Sequence, residues 1–324
     1  MNLGRVFLTG GTGSFGRAFV KKLIELDNFT QLIIYSRDEL KQFELGNEIN
    51  SDKIYFVLGD VRDYDRLSDT LRGSDVLVHA AAMKQIPASE NNPIEAIKTN
   101  VLGADNIVRA SIANQLKQVI ALSTDKAANP ANLYGATKLC SDKLIIAGNT
   151  AFGNSTTKFS VVRYGNVLGS RGSVIPFFKE KSKSGILPIT DFEMTRFWLT
   201  IDQGVVFVLN SLARMHGGEI FVPKIPSFKV ADVAKVIAPK AKLKLIGIRP
   251  GEKLHEVMIT EDDSFYTLEF EEYYAILSPN LKSSEFYKKN GKEVKQGFRF
   301  SSDNNKDWHT LETFRSVLIK NNLI

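Results

Sequence analysis

The chain has 324 residues, of which 43% are hydrophobic and 24% charged, so it can bury a large core and disorder is not expected. The net charge is +6, but the basic residues are mixed with acids apart from a looser basic stretch at 282–299. We therefore expect no nucleic-acid partner, because an anionic small molecule explains the surplus equally well.

Cysteine and apolar patterning define the expected compartment. The single cysteine, Cys140, rules out a disulfide within the chain and is interpreted as a packing residue in a reducing compartment. No apolar run approaches the roughly 18 residues of a membrane span, and the N-terminus starts with a strand rather than a signal peptide. The four histidines are far apart, so no metal site is predicted. The expectation is a soluble, cytoplasmic protein with no membrane partner.

A strand, a glycine turn and an amphipathic helix open the chain. The strand is predicted at Arg5–Thr9 and the helix at Arg17–Leu26, with GGTGSFG between them. Gly10 allows the tight turn, Gly13 lets the backbone approach a pyrophosphate at the helix N-terminus, and Gly16 allows close packing of helix on strand. This order predicts a dinucleotide site. The predicted contacts in this loop are Gly10, Thr12, Gly13, Ser14, Phe15 and Gly16.

The end of the second strand bears on the choice of cofactor. After Gln31–Tyr35 the sequence places Ser36 and Arg37, with Lys41 one turn into the next helix. An NAD site usually has an acidic residue here that accepts hydrogen bonds from the ribose hydroxyls, whereas a guanidinium and an ammonium suit the 2′-phosphate of NADP. Asp38 is a competing ribose ligand, but it is interpreted as the cap of the helix 39–45. NADP is therefore predicted, with NAD as the alternative.

The third and fourth strands, Lys53–Val57 and Asp75–His79, end in further candidate contacts. Asp60 is placed to reach an adenine amine, or else Asp60 and Asp63 cap the following helix. A long helix is predicted at Pro93–Gln115. The predicted cofactor contacts in this part of the chain are Asp60, Val61, Ala80, Ala81, Lys84 and Asn100.

The fifth strand, Gln118–Leu122, delivers four polar residues, Ser123 to Lys126. The helix Leu133–Ala147 then carries Tyr134 and Lys138 four apart, on one face and one above the other. An ammonium beside a phenol lowers the phenol pKa, as a base near neutral pH requires. The plain alternative is a solvated Lys beside a half-buried Tyr.

Strands alternating with helices, through a sixth strand at Phe159–Arg163, predict an α/β fold. We expect a Rossmann-type, doubly wound parallel sheet with ligands at the carboxyl ends of the strands. Residues 1–168 form the predicted cofactor-binding domain, with 197–225 packing back on it. Residues 169–324 form a smaller C-terminal substrate-binding domain. Its predicted elements are helices at Val174–Lys183, Ile201–Met215 and Val230–Ile237 and strands at Gly185–Thr190, Glu219–Val222 and Leu243–Ile246.

Three arginines of the second part, Arg171, Arg196 and Arg249, are predicted to lie in loops near glycines. Each alone is typical of a surface charge. Together they either hold a phosphate or remain solvated, and the pattern itself leaves both possibilities open.

Taken together, the motifs resemble the extended short-chain dehydrogenases and, within them, the inverting UDP-N-acetylglucosamine 4,6-dehydratases, to about Glu256. The stretches that carry the resemblance are GGTGSFG, YSRDELKQFE, GDVRD, HAAAMK, STDKAANPANLYGATK, RYGNVLGSRGSVIPFF, MTRFW, GGEIFVPKIPSF and RPGEKLHE. Asp125-Lys126 differs from the Asp-Glu pair of dehydratases that act on TDP-glucose. The presence of Tyr134 argues against a related group that lacks it, and the lack of a membrane part argues against long retaining relatives.

The resemblance implies a reaction and a set of roles. Tyr134, with Lys138 and Thr124, would take the proton from the carbon 4 hydroxyl while hydride passes to a held cofactor and later returns to carbon 6. Lys126, if neutral, would remove the carbon 5 proton, and Asp125, if protonated, would protonate the departing carbon 6 hydroxyl. A local ion pair between Asp125 and Lys126 is the structural alternative.

The resemblance also implies a UDP-sugar substrate, a product used for pseudaminic-acid-type sugars, and a homo-oligomer, either dimer or hexamer. The predicted substrate contacts are Lys84, Asn166, Arg171, Arg196, Arg249 and Glu252. Rival functions are a retaining 4,6-dehydratase, a nucleotide-sugar 4-epimerase, a non-catalytic NADP-sensing protein and a nucleic-acid binder.

Overall fold

The computed structural model describes residues 2–49, 51–150, 156–169, 173–282 and 284–324. The strands of this part of the chain are β1 Arg5–Thr9, β2 Gln31–Ser36, β3 Ile54–Leu58, β4 Val76–His79, β5 Gln118–Thr124, β6 Lys158–Tyr164, β7 Asn166–Val167, β8 Ile186–Ile189, β9 Thr195–Leu199, β10 Glu219–Pro223, β11 Ser227–Lys229, β12 Lys242–Leu245, β13 Val257–Ile259, β14 Thr267–Glu269, β15 Tyr273–Leu277, β16 Lys292–Glu293 and β17 Phe300–Ser301.

The first helix begins in the glycine turn, and the last ends close to the C-terminus. They are α1 Ser14–Leu26, α2 Glu39–Glu48, α3 Tyr64–Leu71, α4 Ile86–Asn91, α5 Pro93–Ile97, α6 Gly103–Ala113, α7 Leu133–Ala147, α8 Val174–Ser182, α9 Ile201–Arg214, α10 Val230–Ile237, α11 Pro279–Lys282, α12 Glu285–Asn290 and α13 Leu311–Lys320. A π-helical turn, Lys98–Leu102, joins α5 to α6, so the long helix predicted there carries a local widening.

A ten-stranded sheet forms the centre of the molecule, in the order β16-β14-β15-β10-β6-β5-β4-β1-β2-β3. The seven strands from β10 to β3 are parallel, and β15, β14 and β16 continue the sheet antiparallel. Helix α1 packs against α9, whereas α6 packs against α3 and α7. The order 3-2-1-4-5-6 is that of a doubly wound sheet, which confirms the predicted fold class.

The parallel strands are built from apolar runs because both faces of the sheet are covered. β4, VLVH, and the last four residues of β1, VFLT, are completely buried, including their polar ends Thr9 and His79. Consecutive parallel strands end at the same edge of the sheet. The polar residues that follow them therefore meet there, beyond the carboxyl ends.

A second, smaller core lies under the loops that follow β6. It is formed by α8, α10, α13, the three-stranded sheet β11-β9-β7 and the pair β12-β8. Residues 197–225 are divided: the end of β9 belongs to this smaller sheet, whereas α9 and β10 lie with the central sheet. The central sheet also takes in β14, β15 and β16, although the sequence placed residues 267–293 in the smaller domain.

Two sequence interpretations are wrong. Arg196 lies in β9, buried between its neighbours, rather than in a loop. Cys140 is exposed on α7 rather than packed in the core.

None of the helices in the described ranges combines the length and apolarity that a bilayer crossing requires. In the same ranges, no group of three or more His, Cys, Asp or Glu side chains is placed to hold a metal ion.

Candidate active site

A cavity of about 890 Å³ runs along the carboxyl ends of the parallel strands, between the central sheet and the smaller core. The predicted site residues that line it are Gly10, Thr12, Gly13, Ser14, Phe15, Gly16, Ser36, Arg37, Lys41, Asp60, Val61, Ala80, Ala81, Lys84, Thr124, Lys126, Tyr134, Lys138, Asn166, Arg196, Arg249 and Glu252. Asp125 and Asn100 lie behind its wall, and Arg171 lies outside the described residues.

Two glycines of the glycine loop leave no room for a side chain, and a third has free space beside it. Gly10 has a φ of +68°, and a Cβ there would lie 2.8 Å from Ala81 N. A Cβ at Gly16 would lie 2.4 Å from the backbone of Gly11, so α1 can pack on the loop only because residue 16 has no side chain. A Cβ placed at Gly13 would meet only Gly10 O within 4 Å among the described residues, at 3.3 Å, so this backbone is open to the cavity. The helix N-terminus beside it suits a pyrophosphate.

The second strand ends in the predicted ribose-binding group. Asp38 caps α2 by accepting from Lys41 N at 3.0 Å, as expected, and its carboxylate also pairs with the Lys41 ammonium. Ser36 accepts from Gln42 Nε2 at 2.9 Å. Arg37 is half exposed and lies 3.6 Å from a carboxylate oxygen of Asp60. A guanidinium therefore faces the cavity, while the nearest ribose-type acid is engaged as a helix cap.

The two acids after β3 have different roles. Asp63 accepts from Arg66 N and caps α3. Asp60 instead accepts from Arg62, at 2.8 Å from its Nε and 3.0 Å from its backbone N. These bonds from Arg62, with the charge of Arg37, lower the pKa of Asp60 against the opposing effect of burial. The sequence left open whether Asp60 contacts adenine or caps the following helix. Of the two acids, it is Asp63 that caps α3.

Thr9 holds the alanine turn after β4, residues 80–82, in place through hydrogen bonds. Its hydroxyl accepts from Ala80 N at 3.1 Å and from Ala81 N at 3.3 Å, and it lies 2.8 Å from His79 Nδ1. Burial, helped by the charge of Lys138, lowers the pKa of His79 to about 3, so this ring is neutral. The backbone of the turn is thereby held close to the glycine loop.

Asn100 acts through the polypeptide rather than at the cavity surface. Its amide accepts from Met83 N at 2.8 Å and donates to Met83 O at 2.9 Å and to Thr137 Oγ1 at 3.0 Å. Asn100 lies in the π-helical turn Lys98–Leu102. Its side chain therefore bridges the alanine turn and α7.

Tyr134 and Lys138 lie one turn apart at the start of α7, and both line the cavity. Asn132 caps this helix by accepting from Gly135 N at 2.8 Å. Lys138 Nζ lies 3.4 Å from Ser141 Oγ, and burial lowers its pKa against the attraction of a neighbouring acid.

The expected activation of the phenol by Lys138 is absent from the chain alone. Burial raises the pKa of Tyr134 to about 12. The groups that oppose this rise are the ammonium of Lys126 and a hydrogen bond with Thr124, rather than Lys138. The ammonium of Lys126 is therefore a neighbour that favours the phenolate, and the sequence did not indicate this contribution.

The end of β5 holds a buried carboxyl. Thr124 Oγ1 donates to Asp125 Oδ1 at 2.9 Å, and Lys126 Nζ donates to the same oxygen at 2.9 Å. The other oxygen, Oδ2, is buried without a hydrogen-bond partner in the described part of the chain. Asp125 has 0% exposure, and burial raises its pKa despite the nearby ammonium. Contact between Asp125 and a ligand would therefore need a rotation of the side chain or an intermediary.

Lys126 is held between two carboxylates, one on each side. Its Nζ is 2.9 Å from Asp125 Oδ1 and 3.3 Å from Glu256 Oε1. Burial alone would lower the pKa of Lys126, but the attraction of these two acids outweighs it and raises the pKa. The side chain lies in the cavity wall as an ammonium, so the neutral form that the sequence hypothesis required is not the resting one.

Arg196 and Lys253 complete a cluster of charges around Glu256. Arg196 donates to backbone carbonyls, among them Thr195 O at 2.6 Å and Leu254 O at 3.1 Å, and its Nε is 3.7 Å from Glu256 Oε1. Lys253 Nζ is 3.6 Å from Glu256 Oε2. Burial opposes the charged form, but the cations lower the pKa of Glu256 to about 2.

The remaining predicted substrate contacts lie around the cavity mouth. Arg249 forms an ion pair with Glu252, and both line the cavity. Asn166 Oδ1 is buried without a hydrogen-bond partner among the residues described. Lys84 is exposed at the cavity wall, and the neighbouring protein atoms lower its pKa by limiting its hydration. These groups could hold an anionic nucleotide.

Sequence reasoning missed several cavity residues, among them Glu256, Lys253, Tyr164 and Trp198. Trp198 Nε1 is buried and has no partner in the described ranges, as a donor awaiting a ligand would be. The sequence offered one signal for two of them. Lys253 and Glu256 lie inside RPGEKLHE, which had already marked Arg249 and Glu252.

Comparison with known proteins shows similarity along the whole chain. Residues 6–278 match the family described as "Polysaccharide biosynthesis protein". The chain is 56% identical over 313 residues to a protein of Campylobacter jejuni subsp. jejuni serotype O:23/36 (strain 81-176), named UDP-N-acetylglucosamine 4,6-dehydratase (inverting), covering 94% of this chain and 93% of that one. It is 37% identical to a UDP-glucose 4-epimerase of Rickettsia canadensis (strain McKiel), covering 98% and 96%.

One solved structure is similar over the full length. The X-ray structure of Pen from Bacillus thuringiensis superposes with a TM-score of 0.91 at 34% identity, covering 100% of this chain and 99% of the other. The similarity thus extends beyond residue 256, where the sequence motifs ended.

Proposed function

Because the chain belongs to the polysaccharide biosynthesis protein family, we propose that it is a UDP-N-acetylglucosamine 4,6-dehydratase that inverts carbon 5. The observation that carries this proposal is the pairing of a cavity phenol, Tyr134, with a neighbouring Asp125–Lys126 pair at the end of β5. An oxidation followed by loss of a hydroxyl needs both parts. An epimerase needs only the first.

The glycine loop fits a dinucleotide, since the open backbone at Gly13 leaves room that a Cβ would fill. We assign it NADP, held throughout the cycle, with Arg37 as the 2′-phosphate ligand and the alanine turn against the nicotinamide half. A nicotinamide held there by the glycine loop and the alanine turn would supply reversible hydride transfer, from carbon 4 in the first half of the reaction and to carbon 6 in the second. The half-exposed guanidinium of Arg37, which lines the cavity beside Asp60, and the capping role of Asp38 support NADP over NAD.

Tyr134 takes the proton of the carbon 4 hydroxyl. Its pKa must fall for this, and the groups in place to lower it are Lys126 and Thr124. Thr124 lines the cavity and orients the same hydroxyl. The phenol, the hydroxyl of Thr124 and the ammonium form one edge of the site.

Lys126 and Asp125 carry out the elimination. Lys126 lines the cavity, so its Nζ is the atom that removes the carbon 5 proton, after it has passed its own proton to Asp125 Oδ1 at 2.9 Å. Burial raises the pKa of Asp125, which favours its holding of this proton. The Thr124 hydroxyl, 2.9 Å from Asp125 Oδ1, gives its hydrogen to the departing carbon 6 hydroxyl and takes the proton of Asp125 in its place. Protonation of carbon 5 by a solvent proton from the opposite face gives the inverted product.

The nucleotide half of the substrate is assigned to Arg249, Glu252, Asn166 and Lys84, with Arg171 as a further candidate. The guanidinium of Arg249 would leave Glu252 for the diphosphate, which is a bidentate acceptor. Glu252 would then accept from ribose hydroxyls. Arg196 supports the loop carbonyls rather than the substrate.

The wider setting is also proposed. We infer a cytoplasmic homo-oligomer of two or six chains that supplies pseudaminic-acid-type sugar synthesis. Analytical ultracentrifugation tests the assembly. Nucleotide released by denaturation tests the cofactor: NADP is expected, and NAD would overturn that assignment.

The decisive experiment is incubation with UDP-N-acetylglucosamine in deuterated water without added cofactor. The expected product has lost one water and gained one deuterium at carbon 5, with inversion seen by NMR. Inverted stereochemistry is required for the proposal, and retention would overturn the inverting assignment. Unchanged mass with an epimerised carbon 4 would instead establish the epimerase, for which the Rickettsia relative is the reason to test.

A further inference from the structure

Glu256 is a buried carboxylate at the centre of the cavity wall. It is 3% exposed. Its Oε1 lies 3.3 Å from Lys126 Nζ and 3.7 Å from Arg196 Nε, and its Oε2 lies 3.6 Å from Lys253 Nζ. That Oε2 is buried without a hydrogen-bond partner in the described residues. A buried carboxylate is costly unless cations compensate it, and here three cations from different parts of the chain do so.

The C-terminal part of the chain fixes this carboxylate in place. Glu256 N donates to Ser302 Oγ at 2.9 Å, and Ser302 N donates to Glu256 O at 2.8 Å. Ser302 Oγ is also 2.7 Å from Thr195 Oγ1. The strand that follows Glu256, β13, pairs with β17. Residues near 300 therefore position a side chain of the active site.

We propose that Glu256 is a positioning residue that holds the amine of Lys126 in the cavity wall and sets the pH range in which the Asp125–Lys126 pair works. The inference rests on the proposed function. Lys126 Nζ lies between two carboxylates from different parts of the chain, Asp125 beside it in sequence and Glu256 brought to it by the fold. Removing the second acid leaves the amine tethered from one side only.

The charges that face the pair define the direction of the effect. Lys126 faces the acids Asp125 and Glu256, the cations Arg196 and Lys253, and the phenol of Tyr134, and Asp125 is repelled by Glu256. Loss of the Glu256 charge weakens proton binding at Lys126 by removing an attraction. It also weakens proton binding at Asp125 by removing a repulsion between acids. Both groups then lose their protons at lower pH.

The test is the pH profile of dehydration in Glu256→Gln. Whether Lys126 acts as base or acid, both limbs of the profile should move to lower pH, by about 1 to 3 units for a charge this close. The value of kcat should fall more than KM changes, since Glu256 is assigned no substrate contact. Glu256→Asp, which restores the charge at a greater distance, should move the limbs less. Glu261→Gln removes an exposed acid from the same segment and should leave the profile in place.

The outcomes separate this inference from the proposed function. If the unaltered protein fails to dehydrate UDP-N-acetylglucosamine, the proposed function is wrong. If it succeeds and both Glu256 variants show lower rates with unmoved limbs, Glu256 is merely structural and the inference is overturned. Should Glu256→Gln not fold, the smaller shift expected of Glu256→Asp still decides the question.

Discussion

Replacing Asp125 by Asn tests the elimination chemistry with little change of shape. In the structure one carboxylate oxygen accepts from Thr124 and from Lys126, each at 2.9 Å. An Asn oxygen can keep both bonds. The amide nitrogen then takes the place of Oδ2, which has no partner in the described residues, so a buried NH₂ group with its two donors is left unpaired at a cost of about 1–3 kcal/mol or more. The variant should therefore fold with reduced stability, because domains typically have about 5–15 kcal/mol.

The catalytic loss should be much larger than the loss of stability. Asn cannot supply a proton, and general acid catalysis typically contributes about 10²–10⁴-fold. We expect dehydration to fall by that factor while oxidation at carbon 4 persists. The assay is chemical quench with mass spectrometry, in which a 4-keto sugar that keeps its carbon 6 hydroxyl should accumulate. Urea unfolding of the same preparation separates rate from folding.

Asp262→Asn, an exposed acid of the turn Asp262–Tyr266, is the matched control and should match the unaltered protein in rate. A rate for Asp125→Asn within tenfold of the unaltered enzyme would refute the assignment of Asp125 as proton source. Equal loss of carbon 4 oxidation would do the same, since it would point to general damage of the site.

Three other predictions concern stability and the cofactor. The pKa of His79 falls from 6.5 to about 3 on folding, so between these two pH values the unfolded chain binds a proton that the folded chain does not. In this window the free energy of unfolding should drop by about 1.4 kcal/mol for each pH unit of acidification. Urea unfolding of His79→Asn across the same window should lack this contribution. Gly16→Ala should lower the thermal midpoint sharply because its Cβ would lie 2.4 Å from Gly11, whereas Gly13→Ala should keep its fold yet lose bound dinucleotide; equal midpoints would contradict this. Arg37→Ala should weaken NADP binding about tenfold or more in calorimetry and leave NAD binding nearly unchanged, and equal losses would remove the 2′-phosphate role.

Local sequence determined the elements whose signals are short-range. The helix Leu133–Ala147 has its predicted limits because Asn132 provides a cap that any chain with this sequence would form. The glycine turn behaves likewise, since Gly10 and Gly16 are required by contacts within a few residues or at the adjacent strand end. Alternating strands and helices then fixed the fold class, because right-handed crossovers leave few arrangements.

Elements that depend on distant partners were predicted less well. The sequence TRFWL gave no local sign of a strand, and Arg196 was placed in a loop; pairing with β7 and β11 makes it β9. The antiparallel strands β14 to β16 join the central sheet because β10 offers them an edge, which no local pattern records.

The candidate site shows the same division. By itself the sequence determined which phenol, amine and acid follow the strands, because residues after parallel strands must meet at one edge of the sheet. Only the tertiary structure decided their charges, by burying Asp125 completely and placing Glu256 beside Lys126 from 130 positions along the chain. Proton affinity depends on burial and on neighbours in space, and neither quantity is written in the order of the residues.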